Sequence, residues 1–88
     1  MNNEELNFSI LNRIKRGTIP SPTDYNMNLE MWAEIIEYLH DRNYLSNVSI
    51  YWFEADDSYY EETVHSVDLS QAKITTDGLK FLEKEIHN

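Results

Sequence analysis

Glu30, Glu34, Glu37 and Asp41 stand at i, i+4, i+7 and i+11, a spacing that brings all four carboxylates within about 60° of one another on an α-helix. Neighbours in such a row are about 5–6 Å apart and the row is about 16 Å long, so it would present a rigid ladder of negative charge. The chemistry open to it is recognition of a cationic surface. Acid–base catalysis needs a pocket that perturbs one carboxylate of a pair, and no motif in the sequence supplies one. A second group, Asp56, Asp57, Glu61 and Glu62 with Glu54, offers oxygen ligands. The spacing and turn glycine of an EF-hand are absent, however, and His40, His65 and His87 show no paired spacing, so no metal site is expected. There is no cysteine, no Gly-rich phosphate loop, no nucleophile elbow and no His-Glu pair at zincin spacing. The expectation is a protein that is not an enzyme and holds no cofactor.

The carboxylate row needs a helix to carry it. Trp32, Ile35, Ile36 and Leu39 follow i, i+3, i+4 and i+7 and predict the buried face of a helix running to about Arg42, with Asn28 as its cap and Asn43 at a left-handed exit. Leu6, Ile10, Leu11 and Ile14 predict an earlier helix over 4–16, ended by Gly17. Pro20 and Pro22 enforce an extended turn, and a short helical turn is expected over 23–27. From Leu45 the pattern changes to alternation, with Val48, Ile50 and Trp52 against Ser49, Tyr51 and Phe53. This predicts a strand. A turn over 55–58 and a second strand over 59–67 complete a hairpin with an acidic tip. Thr75 or Thr76 is expected to cap a final helix with Leu79, Leu82 and Ile86 on its apolar side.

Eighty-eight residues with 41% apolar content allow one domain and one core, and the aromatics argue against disorder despite the charge. The net charge of −9 is unevenly placed: residues 17–72 hold eleven acids and a single base, Arg42. The other bases sit near the two ends, as Arg13, Lys15 and Arg16 and as Lys73, Lys80 and Lys84. Such a field disfavours nucleic acid and anionic membrane and favours a basic protein partner. No apolar run is long enough to span a bilayer, and the first residues lack the pattern of a secretion signal, so a cytoplasmic protein is expected.

Ile10-Leu11 through Ile14, Gly17 and Pro20, Asp24-Tyr25, Leu39 with Asn43-Tyr44-Leu45, and the run from Ile74-Thr75-Thr76-Asp77-Gly78-Leu79 to Leu82 carry a resemblance across nearly the whole chain. On these residues the chain resembles the YjcQ family of small winged-helix proteins from Gram-positive bacteria and their phages. The resemblance implies an α+β winged helix-turn-helix spanning 1–88: three N-terminal helices, a two-stranded β-hairpin wing and a C-terminal helix. It further implies a prophage setting with a regulatory role, and no catalytic residues to transfer.

In that architecture the helix before the wing reads the major groove while the wing approaches the backbone, and here both carry carboxylates that repel phosphate. Two readings of Glu30, Glu34, Glu37, Asp41, Asp56, Asp57, Glu61 and Glu62 therefore stand side by side. In one they imitate a polyanion, a DNA mimic that binds a basic nucleic-acid-binding host protein, such as a nuclease blocked by an anti-CRISPR or anti-restriction inhibitor. In the other they are the solvated face of an amphipathic helix and a charged loop. The alternative function is a prophage transcriptional regulator that binds DNA through its basic ends. Most of Tyr51, Phe53, Tyr59 and Tyr60 are expected to close a core beneath the wing, with Trp52 and Val64. Exposure of several would favour an interface or a homodimer there.

Overall fold

The structure, a computed structural model, describes residues 3–53 and 63–86. It is an α+β arrangement of three α-helices and two small antiparallel sheets. Helix α1 spans Asn3–Lys15, and its apolar stripe buries Leu6, Ile10 and Leu11. Gly17, at φ 84°, ends it as expected: the Gly17 N–H donates to Ile14 O and the Thr18 N–H to Arg13 O, the paired bonds of a Schellman exit. Pro22–Tyr25 then form one turn of 3₁₀-helix, with the Asp24 carboxylate accepting from the Ser21 N–H at 2.9 Å. Tyr25 ties this turn to both neighbours, stacking on Trp32 at 5.8 Å between centroids and sharing a 2.9 Å hydroxyl bond with Ser9.

Helix α2 spans Leu29–Asp41, and the Asn28 side chain caps it by accepting from the Met31 N–H at 2.8 Å. Trp32, Ala33, Ile36 and Leu39 are buried, which places the core on the face the periodicity indicated. Asn43 takes the left-handed exit at φ 63°, again with Schellman bonds, from Asn43 N–H to His40 O and from Tyr44 N–H to Leu39 O.

The element order differs from the expectation in two respects. Only two α-helices precede the strands, because the segment after the prolines is too short to wind beyond a single 3₁₀ turn. Four strands follow where two were expected. Strands β1 (Leu45–Ser46) and β4 (Lys73–Ile74) pair with each other, and between them β2 (Ser49–Phe53) pairs with β3 (Thr63–Asp68). All pairings are antiparallel, and the two pairs are separate two-stranded sheets, with the chain of the β2–β3 pair entering and leaving through the β1–β4 pair. Asn47, left-handed at φ 59°, breaks one side, and on the other Leu69 turns into the core.

A bulge between the Tyr51–Ser66 and Trp52–Val64 pairs gives β3 an extra residue at His65. In a regular strand Val64 and Val67 would point to opposite faces. The extra residue lets both turn inward, with Val64 buried and Val67 half-buried against the core. The expected turn over 55–58, and residues 59–62 of the expected second strand, lie outside the described residues.

Helix α3 spans Thr76–Ile86. Thr75 is its cap, accepting from the Gly78 N–H at 3.0 Å while its hydroxyl donates to Asn43 O. Its inward residues are Gly78, Leu82 and Phe81, with Phe81 stacked on Tyr44 at 5.1 Å. Leu79, expected on the apolar side, is 39% exposed, because Gly78 occupies the point of closest approach. Leu6, Ile10, Leu11, Trp32, Ile36, Leu39, Leu45, Leu69 and Leu82 form the core.

Candidate protein-binding surface

Burial of Trp32, Ile36 and Leu39 forces the opposite side of α2 outward, and Glu30, Glu34, Glu37 and Asp41 are all exposed there. Among the described residues no lysine or arginine pairs with any of the four; Asp41 lies 3.8 Å from the ring of His40. Other acids have structural partners. Asp24 accepts from Ser21 and pairs with Arg13 at 3.0 Å, Asp77 accepts from the Asn43 amide at 2.9 Å, and Asp68 accepts from the Ser70 N–H at 2.8 Å. Ser70 bonds hold the Asp68 carboxyl below the usual aspartate range, the hydroxyl contributing most. The α2 row has no comparable ties, and like charges at i, i+4 cost the helix a few tenths of a kcal/mol each. Glu30, in the first turn, is favoured by the helix dipole; Glu34, Glu37 and Asp41 have no such support.

The row borders two depressions. Toward the ribbon, Glu37, His40 and Asp41 share a hollow with Val48 and Ile50, so the acidic face is continuous with the root of β2. On the other flank, Glu34, Ile35 and Tyr38 face Asn3, Leu6 and Asn7 of α1 across a cleft of about 230 Å³. The cleft was not foreseen from the sequence. Its signal was present in Asn7, a polar residue three, four and seven positions before Ile10, Leu11 and Ile14, and therefore on the apolar stripe.

Asp56, Asp57, Glu61 and Glu62, the remaining predicted binding residues, lie outside the described residues, as do Glu54, Tyr59 and Tyr60. Tyr51, expected in the core, is 51% exposed, and Trp52 is 42% exposed. Tyr51 pairs with Ser66 on the ribbon face opposite Ile50 and Val67, where it is directed away from the core. The two base-bearing ends of the sequence are joined in the fold, since α1 packs on α3 and on β4. Among the described residues no helix is long and apolar enough to cross a membrane.

No protein-family model, no curated protein and no solved structure matches the chain.

Proposed function

We propose that this chain is a YjcQ-like winged-helix protein of phage type that binds a basic, nucleic-acid-handling host protein and blocks it by imitating a polyanion. The observation that carries the reading is the row Glu30, Glu34, Glu37 and Asp41, exposed along α2 and unpaired with any lysine or arginine among the described residues. In this reading α2 is the counterpart of a recognition helix and the β2–β3 ribbon is the wing. A groove shaped for DNA would meet fixed carboxylates where phosphates belong, and wing acids Asp56, Asp57, Glu61 and Glu62 would extend the contact. The test is to add the chain to DNA-cleavage reactions of CRISPR-type and restriction nucleases. Inhibition that fades as salt is raised is expected, because charge complementarity is screened over about 8 Å at physiological ionic strength.

A second reading, a prophage regulator that binds DNA, is favoured by one observation. Lys15 on α1 and Lys80 and Lys84 on α3 are exposed, and those two helices pack together. A mobility-shift assay on the gene's own upstream DNA at low salt separates the two: specific retardation without nuclease inhibition establishes the regulator and refutes the inhibitor.

A further inference from the structure

We propose that the cleft between α1 and α2 is a receptor for a single arginine side chain of the partner, a proposal that rests on the reading of α2 as a binding face for a basic protein. At about 230 Å³ the cleft is smaller than the roughly 300–1,000 Å³ pockets that enclose drug-sized ligands, and it suits one side chain. Leu6 and Ile35 offer apolar wall, Tyr38 keeps 48% of its surface exposed at the edge, and Glu34 brings a carboxylate from the acidic row. Asn7 is the second, independent observation. Only 9% of it is exposed, it lines the cleft, and among the described residues its side-chain amide has no hydrogen-bond partner. Its polar atoms are nevertheless not sealed, so they remain open to a ligand.

An occupant must cover apolar wall with its stem and satisfy both a carboxylate and a carboxamide with its head. Arginine does this: its methylenes lie along Leu6 and Ile35, its planar fork donates two N–H groups to Glu34, and a further N–H reaches the Asn7 carbonyl oxygen. The Tyr38 ring, over which the chain's own Arg42 guanidinium already lies at 5.9 Å from the centroid, borders the cleft. A lysine ammonium lacks the fork. An apolar side chain would leave Glu34 and Asn7 desolvated, and an anionic one would be repelled in a chain of net charge −9.

The test titrates the full-length ¹⁵N-labelled chain with Nα-acetyl-arginine amide, its lysine counterpart and the neutral isostere Nα-acetyl-citrulline amide. Saturable shifts are expected at Leu6, the Asn7 side-chain amide, Ile35 and Tyr38, with arginine binding at least about tenfold more tightly than citrulline. Asn7→Leu, which fills the cleft with an apolar residue on an apolar stripe, should abolish them. Glu83→Gln, on α3 and outside the cleft lining, should leave them in place. Equal binding of citrulline, shifts confined to other surfaces, or shifts that survive in folded Asn7→Leu would overturn the proposal. Shifts at the cleft that grow with protein concentration alone would assign it to a second copy of the chain and overturn it too. The two readings fail separately. If Asn7→Leu loses the probe yet inhibits nucleases as well as the native chain, the arginine receptor plays no part in partner binding and this inference falls alone. If the native chain inhibits no nuclease while arginine amide still saturates the cleft, the inhibitor reading falls and the receptor stands.

Discussion

Gly78 shows how one residue can decide a junction. A Cβ at this position would overlap the Tyr44 carbonyl oxygen and press on the Ile74 side chain at 3.0 Å, and a backbone oxygen has little freedom to move aside. Gly78→Ala is therefore expected to cost about 1–3 kcal/mol in denaturant unfolding despite the better helix propensity of alanine; a neutral or stabilising result would contradict the close packing of α3 on Tyr44. The same junction marks a limit of sequence reading. That Asn43 tolerates a left-handed exit was legible from its type, whereas its amide bond to Asp77, 34 residues away, depends on tertiary approach that no local pattern encodes. Asp68 offers a titration at this scale. Its carboxyl is depressed in the folded state, so it adds stability above the ordinary aspartate value and loses that contribution as pH falls through its folded value. Ser70→Ala removes the hydroxyl that contributes most to this depression, and side-chain carboxyl NMR should show the Asp68 pKa rising toward its ordinary value. An unmoved titration would contradict the assignment.

Helix α2 was read correctly in its cap, its buried face and its exit, because all three depend on neighbours within a turn or two. The strand region was read less well. Alternation from Leu45 predicted one continuous strand, but Asn47 adopts a left-handed conformation and divides it, and the bulge at His65 lies on the far side of the hairpin from anything that alternation could report. Trp52 followed the apolar alternation yet stays 42% exposed, since alternation identifies a face and not what covers it. The energetics of α2 are unusual for a surface helix. Asp41 sits in the last turn, where the helix dipole disfavours negative charge, and four residues beyond Glu37. Asp41→Asn is expected to raise stability by about 0.5 kcal/mol in thermal or denaturant melts at low salt, and less in high salt. A loss of stability would mean that Asp41 has a structural partner and was not retained for binding.

Across the molecule's described residues, acids dominate the outer face of α2, which ends at exposed Arg42. The exposed bases of α1, β4 and α3 stand beside acids such as Glu4, Asp77 and Glu83. The imbalance was legible in composition. That base-bearing α1 and α3 are neighbours was not, because the two helices are remote in sequence and come together only on folding. The α2–α1 cleft escaped notice for the same reason, since half of it comes from each helix. A row of like charges without structural ties should be replaceable without harm to the fold, and any functional loss on replacement then belongs to recognition. The most direct measurement compares the native chain with Glu30→Gln/Glu34→Gln/Glu37→Gln as an inhibitor of DNA cleavage at low and high salt, with circular dichroism and thermal melts confirming that both are folded. The account predicts a variant at least as stable as the native chain, with inhibition weakened by about tenfold or more and little remaining salt dependence. A folded variant that inhibits as strongly as the native chain, with the same response to salt, would contradict it.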